Sequence, residues 1–414
     1  MKTIYTPTEI LQVRLNFGIA PAIPVGRLAR VEERIYFEYD PQFVSSGLQI
    51  SPYKLPLSNK TVSFPPSVFE GLPGVFNDSL PDGWGKLLLD RKLRSLNILP
   101  GQFSPLDRLA YVGTNGMGAL TYHPDHSDDT THESLDLDTL AEHSEKILQG
   151  ASGEVLEELL RLNGSSSGAR PKVLIGFRAG TSEIVQGVST LPSDFEPWLV
   201  KFANTLDGAD AGAIEYVYGL MARQAGLKVP DMHLFECKSG PGYFATKRFD
   251  WLSTGEKLHT HTACGLLHSD FRIPALDYED LIKATLWLTK DIREARMIFR
   301  YAVFNVLSHN RDDHSKNFSF LMDQQGTWSL APAYDLTFSS GPMGQQSMLV
   351  AGEGQNPTAT SLLSLAKHAD LSAKDAQQII NEVKSALSQW PLLAKENGVS
   401  TSRIQFIKKA ILKT

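Results

Sequence analysis

The sequence predicts a two-lobed α+β fold that has a β-rich N-terminal subdomain and a mainly helical C-terminal lobe. Short runs of aromatic and β-branched residues bounded by turn residues, such as 35–39, indicate strands within the first 250 residues. From about Gly265 onwards, apolar residues recur at helical spacing instead, as they do over 278–288 and 373–387. The domains expected from this order are 1–125, 126–250 and 251–414.

The composition is that of an ordinary globular chain with more than one domain. Its 414 residues are 42% hydrophobic and 21% charged, which provides enough apolar material for sizeable cores. A formal net charge of −6 gives no basic field for nucleic acid or for an anionic membrane. Two cysteines provide neither a disulfide framework nor a zinc-binding spacing. Because no apolar run approaches the length of a membrane span and the N-terminus lacks an apolar signal region, we expect a cytoplasmic protein with no membrane partner.

We expect the first 125 residues to form strands and one helix. Two glycine-containing stretches lie within this region. Residues 71–85, GLPGVFNDSLPDGWG, predict a turn that leads to a helix beginning near Lys86, with Asp82 as a candidate cap. Residues 113–118, GTNGMG, look like a phosphate loop but precede a strand, so a tight hairpin is favoured over nucleotide binding. The acidic stretch 126–138 is the predicted linker.

The most informative stretch is 309–318, HNRDDHSKNF, in which every residue but the last is polar or charged. An apolar pattern typical of an amphipathic helix precedes it, at Met297, Tyr301, Phe304 and Leu307. Two short strand-like segments, 318–321 and 328–330, follow it and lead to Asp335. Helix, polar loop, hairpin and Asp is the order found around a kinase catalytic loop.

The spacing inside this stretch also fits phosphoryl transfer. Asp312 and Asn317 are separated by four residues, as are the Asp and Asn of the protein-kinase loop. Transfer from ATP needs a carboxylate that takes the proton of the acceptor hydroxyl, and Mg²⁺ prefers carboxylate and amide oxygens. We therefore expect Asp312 to be the base, with Asn317 and Asp335 as Mg²⁺ ligands. Two alternatives are a hydrolase metal pair of Asp313 and His314, and a solvated polar turn with no catalytic role.

Upstream of this loop lie two elements that could hold the phosphates of ATP. The first is a small-residue loop, 164–172, whose backbone N–H groups could cradle phosphates. Its expected nucleotide-binding residues are Ser165, Ser166, Ser167, Gly168 and Ala169. The second is Lys201 in the apolar strand 196–202, because kinases hold the α- and β-phosphates with a strand Lys that follows a glycine-rich loop. The plain alternatives are a flexible Ser/Gly loop and a solvated edge Lys.

Two further positions fit the order of kinase elements. Glu215 lies in a predicted helix, 213–224, from which it could pair with Lys201 as the kinase helix Glu does. The stretch Lys247-Arg248-Phe249-Asp250 lies where a kinase hinge contacts adenine. The expected adenine-binding residues are Lys247, Phe249 and Asp250.

These motifs together resemble those of the HipA family, bacterial serine/threonine kinases that are the toxins of toxin–antitoxin modules. The resemblance extends over nearly the full length, and it includes an N-terminal module similar to 80–85 and 112–120. The family's phosphate loop is similar to 165–172 and its hinge to Arg248-Phe249-Asp250. Its catalytic loop matches Asp312, His314, Lys316 and Asn317, and its second Mg²⁺ ligand falls on Asp335. Lys247 departs from the pattern, since some members carry an acidic residue there.

The resemblance implies a HipA-like kinase fold, ATP and Mg²⁺ as cofactors, and a protein substrate of translation such as an aminoacyl-tRNA synthetase. It implies a HipB-like helix-turn-helix antitoxin as partner, so that DNA is contacted only indirectly. It also implies autophosphorylation of the loop at Ser165, with Ser167 as a second acceptor. Two other classes stay open. One is an inactive kinase fold that acts as a corepressor or scaffold, which the intact candidate residues disfavour, and the other is a small-molecule or lipid kinase.

Overall fold

The computed structural model divides the chain into two compact units, each built from three stretches of sequence. The model describes residues 5–127, 133–151, 153–165, 168–187, 190–204, 207–273 and 275–411. The first unit comprises Met1–Gly208, Ala245–Thr260 and Met322–Gly326. The second unit comprises Ala209–Phe244, His261–Leu321 and Thr327–Thr414.

The first unit begins with a five-stranded antiparallel sheet of strand order β4-β3-β2-β1-β5. Its strands are β1 (Ile10–Leu15), β2 (Ile23–Val31), β3 (Arg34–Tyr39), β4 (Val62–Ser63) and β5 (Leu120–His123). Along β1, the buried residues Leu11, Val13 and Leu15 alternate with exposed ones, so one face of the strand lies on the core. The strand predicted at 35–39 is confirmed by β3.

Helices are more numerous in the N-terminal part than the sequence indicated. Among the described residues before 125 there are four α-helices, so the expectation of one helix was wrong. They are α1 (Pro41–Ser46), α2 (Gly74–Asn77), α3 (Gly83–Ser95) and α4 (Pro105–Val112). Because α4 ends where the stretch 113–118 begins and β5 pairs with β1, that stretch joins a helix to a strand, and the predicted tight hairpin was also wrong.

The remainder of the first unit carries the second sheet. The helices α5 (Leu137–Leu148) and α6 (Glu154–Asn163) precede it, and its strand β6 (Lys172–Phe177) is buried along its whole length. Antiparallel to β6 run β7 (Ile184–Gln186) on one side and β8 (Glu196–Lys201) on the other. The predicted linker 126–138 lies partly outside the described residues, and its end bonds to β7, since the Leu135 N–H donates to the Ile184 carbonyl at 3.1 Å.

The second unit is mainly helical, as predicted. Its helices are α7 (Ala211–Gln224), α8 (Ala263–Leu267), α9 (Tyr278–Thr289), α10 (Ile292–Ser308), α11 (Ala359–Ala366), α12 (Ala373–Leu387), α13 (Trp390–Glu396) and α14 (Thr401–Lys408). The later strands of the chain are β9 (Met232–Phe235), β10 (Tyr243–Lys247), β11 (His259–Thr262), β12 (Ser319–Met322) and β13 (Trp328–Leu330). Helix α10 packs against α9 and α12, and the strands β11, β12 and β13 form a small sheet. This core fixes the start of the loop that follows α10.

Within the described part of the chain, no helix has the length and apolar character that crossing a membrane requires.

Candidate functional site

The predicted catalytic loop begins where α10 ends. The helix stops at His309, whose left-handed backbone (φ 59°) turns the chain out of the helix. A short 3-10 turn, Ser315–Asn317, then leads into β12. Across this loop, the Asn317 Nδ2 donates a hydrogen bond to the backbone carbonyl of Asp312 at 2.8 Å. The structure therefore brings together the two residues whose spacing suggested a catalytic loop.

Asp312 presents its carboxylate to solvent. Its side chain is 57% exposed, and the nearest ring nitrogen of His314 lies 3.9 Å from its Oδ1. His314 packs against the ring of Phe271 with ring centroids 5.0 Å apart, which limits its movement. An exposed carboxylate on a loop that is held from both sides can reach an incoming hydroxyl, as a general base must.

Asp335 follows a residue that is bonded to the catalytic loop. The Tyr334 hydroxyl donates to the Lys316 carbonyl at 2.6 Å and lies 2.6 Å from the Ser319 hydroxyl. The Tyr334 carbonyl in turn accepts from the Tyr301 hydroxyl at 3.0 Å. Since Lys316 directly precedes Asn317, these bonds link the chain beside one predicted Mg²⁺ ligand to the chain beside the other.

The oxygen atoms of this loop suit Mg²⁺. Because the amide nitrogen of Asn317 is committed to Asp312, the amide oxygen is the atom of that side chain left for a ligand role. An amide oxygen and the Asp335 carboxylate are hard donors, and Mg²⁺ takes one or two such protein ligands and completes its shell with water and phosphate. Among the described residues, no group of three or more His, Cys, Asp or Glu is placed to hold a metal ion.

Asp313 is a structural residue of the loop, although it adjoins the exposed Asp312. It is 1% exposed and accepts hydrogen bonds from the Tyr278 hydroxyl at 2.7 Å, the Gln346 amide at 3.1 Å and the Ser347 N–H at 2.8 Å. Burial raises the pKa of Asp313 to about 6, although the bonds from Tyr278 and from backbone N–H groups oppose that rise. The hydrolase alternative, a metal pair of Asp313 and His314, therefore loses support.

The phosphate loop is described at Ser165, Gly168 and Ala169, whereas Ser166 and Ser167 lie outside the described residues. Ser165 is buried, and its Oγ accepts a hydrogen bond from the Met117 N–H at 2.9 Å. Both backbone polar groups of Gly168 form hydrogen bonds. Its N–H donates to the Asp82 carboxylate, and its carbonyl accepts from the Trp84 N–H at 2.9 Å.

Asp82 is thus not the helix cap that the sequence suggested. It occupies the N-cap position of α3, but its side chain makes no capping bond and reaches the phosphate loop instead. Gly83 permits this approach, because a Cβ there would lie 2.4 Å from the Gly168 carbonyl oxygen. The stretch 71–85, in which nothing required a role in catalysis, therefore contacts a candidate site element.

The candidate ATP lysine lies at the end of β8, opposite a second lysine. Lys201 is the register partner of Lys172, the buried last residue of the phosphate-loop motif. Directly opposed residues of antiparallel strands project to the same face, so the two ammonium groups share a side of the sheet. A side chain at Gly168 would come within 2.6 Å of the Lys172 Nζ, which puts this cation beside the loop. Glu215 is buried on α7, in the second unit, and its expected pairing with Lys201 stays a prediction.

At the predicted hinge, the side chains are committed to contacts within the protein. Lys247 pairs with Glu196 at 2.6 Å, and Phe249 is half-buried. Asp250 is fully buried, and it accepts from Arg248 at 2.6 Å and from the Gly118 N–H at 2.7 Å. Burial of Asp250 opposes ionisation, but the adjacent Arg248 guanidinium outweighs it and lowers the Asp250 pKa. An adenine contact from this stretch is therefore expected from the backbone, as in a kinase hinge.

Sequence reasoning missed two contacts of the candidate phosphate loop, those with Met117 and Asp82. Both come from glycine-containing stretches that the sequence did single out, 71–85 and 113–118. The dense Gly, Pro, Asn and Asp content was the available signal, since such stretches allow close backbone approach.

Comparison with known proteins agrees with this arrangement. The model of the HipA-like C-terminal domain matches residues 164–390, more than half of the chain, and the model of the HipA N-terminal domain matches residues 19–123. The Sinorhizobium fredii protein Y4dM, provisionally named a kinase, is 26% identical over 283 residues. That alignment covers 64% of this chain and 62% of Y4dM, so the chain spans less than two thirds of this relative.

A solved structure extends the similarity to the whole fold. A chain of the Shewanella oneidensis MR-1 toxin–antitoxin complex of HipA, HipB and operator DNA superposes with a TM-score of 0.70 at 17% identity. The superposition covers 96% of this chain and 94% of that one, and it confirms the predicted HipA-like α+β fold. With family models matched at both its N-terminal and C-terminal parts, the chain belongs to the HipA family.

Proposed function

We propose that the chain is an ATP- and Mg²⁺-dependent serine/threonine protein kinase and the toxin of a toxin–antitoxin pair. The observation that carries the proposal is the bond from Asn317 to the Asp312 carbonyl, in a loop that Tyr334 ties to the segment of Asp335. In the proposed site, Asp312 would supply an exposed carboxylate, and Asn317 and Asp335 would supply two oxygen ligands, the groups that phosphoryl transfer requires. The membership of the chain in the HipA family and the name of Y4dM as a kinase also support the proposal that the chain is a kinase.

In the proposed reaction, Asp312 accepts the proton of a protein hydroxyl while the hydroxyl oxygen attacks the γ-phosphorus of ATP. The bond from the γ-phosphorus to the β,γ-bridging oxygen breaks, and ADP leaves. Asn317 and Asp335 would hold Mg²⁺, which when bound neutralises charge on the phosphates. Lys201 would contact the α- and β-phosphates, and backbone N–H groups of 165–169 would cradle them. The exposure of Asp312 leaves room for the hydroxyl of a macromolecular substrate.

Partner and substrate are proposed from the family. The Shewanella structure contains HipA, HipB and operator DNA, and we infer a HipB-like helix-turn-helix antitoxin for this chain. Because the net charge is −6, DNA contact should come through that partner. The substrate class that the resemblance implies is a cytoplasmic protein of translation, such as an aminoacyl-tRNA synthetase. Purified chain alone should give no sequence-specific DNA shift at moderate salt, and such a shift would contradict the indirect role.

We also propose that the kinase phosphorylates its own phosphate loop, at Ser165 and with Ser167 as a second acceptor. A phosphoserine carries about −1.5 to −2 charges and three acceptor oxygens, so it would compete with ATP for the loop N–H groups. Ser165 is buried against Met117, and the loop must leave this arrangement before transfer. Intact-mass spectrometry after incubation with Mg-ATP, followed by peptide mapping, tests it. Phosphate mapped only outside 165–167 would refute this self-inactivation by loop phosphorylation. The Ser165→Ala variant should stay active for longer than the wild type.

Incubation of the purified chain with γ-phosphate-labelled ATP and a cell lysate tests the proposed class. Labelled protein is the expected product. Label that appears only in small molecules or lipid would favour a small-molecule or lipid kinase. A complete lack of transfer, together with binding of the antitoxin, would favour the inactive corepressor or scaffold.

A further inference from the structure

The phosphate loop is held by two segments of the N-terminal part, each at a different point. One of them, residues 80–85 at the start of α3, contacts Gly168 through the Asp82 carboxylate and the Trp84 N–H. The other is a turn, residues 113–118, and contacts Ser165 through the Met117 N–H at 2.9 Å. Asp82 and Ser165 are both buried, at 8% and 1% exposure, so the hydrogen bonds that they accept are partly shielded from water. Such shielding strengthens a hydrogen bond relative to a fully exposed one.

The Asp82 contact uses a donor that nucleotide binding would need. A backbone N–H donates one strong hydrogen bond, and that of Gly168 is directed at a carboxylate. A phosphate oxygen can take this donor only if Asp82 releases it. The carboxylate also adds a negative charge beside the position of the anionic phosphates, which repel it. The hydrogen bond and the charge of Asp82 therefore both oppose the binding of ATP phosphates at Gly168, although the Lys172 ammonium, which attracts phosphate, also lies beside this loop.

The turn of residues 113–118 is itself anchored. The Gly118 N–H donates to Asp250 at 2.7 Å, and Arg248 binds the same carboxylate at 2.6 Å. The Met117 contact with Ser165 is thus supported by a buried ion pair that fixes the turn. At the other end of the loop, a single side chain, that of Asp82, makes the contact to the Gly168 N–H, so one substitution can remove that contact.

We propose that Asp82 is a positioning residue that holds the phosphate loop, through Gly168, in a state with low affinity for ATP. Loss of this contact frees the Gly168 N–H for phosphate and removes the opposing charge. The inference rests on the proposed role of the loop in binding ATP phosphates, and it adds a residue of the N-terminal part that controls the loop.

Two variants and a control separate the effect of the Asp82 hydrogen bond from the effect of its charge. Asp82→Ala removes both the acceptor and the charge, whereas Asp82→Asn keeps an acceptor oxygen and removes only the charge. Glu38→Gln is the matched control, because it removes one carboxylate of the same unit from an exposed pair with Arg27. Hydrogen–deuterium exchange of the peptide that carries Gly168 is measured without nucleotide. Equilibrium binding of a fluorescent ATP analogue, in the presence of Mg²⁺, is then measured for the same proteins.

In Asp82→Ala, the Gly168 peptide should exchange faster than in the wild type, and the dissociation constant for the analogue should fall by about tenfold. In Asp82→Asn, the dissociation constant should fall by a smaller factor. This variant provides the test if Asp82→Ala does not fold. Glu38→Gln should match the wild type in both measurements. A dissociation constant that is unchanged or higher in both Asp82 variants would overturn the inference. Faster exchange in a set of proteins that all fail to bind nucleotide would confirm the contact and refute the proposed function instead.

Discussion

Asn317 closes the predicted catalytic loop by donating a hydrogen bond from its Nδ2 to the backbone carbonyl of Asp312 at 2.8 Å. The predicted Mg²⁺ ligand therefore also shapes the segment that carries the predicted base. Under the proposed function, Asn317 would couple metal binding to the position of Asp312.

Substitution of Asn317 should affect metal use and turnover together. In Asn317→Ala, we expect the rate of phosphoryl transfer to fall by roughly 10²-fold or more, since a preorganised group that stabilises developing charge is lost. Asn317→Asp keeps an oxygen ligand but loses the bond to Asp312, so its rate should fall without a large change in the Mg²⁺ requirement. Transfer rates measured against Mg²⁺ concentration check this. Asn356→Ala, at an exposed position of the same unit, is the control, and equal rates in all four proteins would contradict the assignment.

Asp313 should make stability depend on pH in a defined window. Its folded pKa of about 6 lies above its ordinary value of 3.8, so the folded state binds the extra proton between these values. The free energy of unfolding contributed by Asp313 therefore falls as the pH rises from about 4 to about 6, by about 3 kcal/mol, and is constant above. Urea unfolding of the wild type and of Asp313→Asn across this range isolates the effect. A difference between the two proteins that does not vary with pH would show that Asp313 does not titrate there.

The buried pair of Arg248 and Asp250 should be important for stability. Asp250→Ala leaves the guanidinium, which is 1% exposed, without its carboxylate, and we expect unfolding free energy to fall by about 3–5 kcal/mol. Glu38→Ala breaks the exposed pair with Arg27 and should cost about 0–1 kcal/mol. Denaturant midpoints provide the measurement. Similar small losses in both variants would mean that the buried pair does not hold the turn at Gly118.

Local patterns predicted the elements around the catalytic loop. The apolar positions Tyr301, Phe304 and Leu307 are buried on α10, and the segment predicted at 328–330 is the strand β13. These features depend on residues a few positions apart, for which helical and strand periodicity are direct signals.

Contacts between distant residues could not be predicted in this way. Asp312 and Asp313 are adjacent and identical in type, yet one is exposed and the other is buried. The difference depends on Tyr278 and Gln346, which are 35 and 33 residues away from Asp313 in the sequence. The bond from Gly168 to Asp82 spans 86 residues, and a local rule assigns that Asp to a helix cap.

We propose above that Asp312 is the base of a phosphotransferase. The most direct test of this role is the initial rate of label transfer from γ-phosphate-labelled ATP to protein by wild type, Asp312→Asn and the control Asp370→Asn. Asp370 is a suitable control because its side chain is 88% exposed in the same unit. We predict that Asp312→Asn lowers the rate by roughly 10²–10⁴-fold while the control matches the wild type. A folded Asp312→Asn protein that transfers phosphate at the wild-type rate would contradict the assignment.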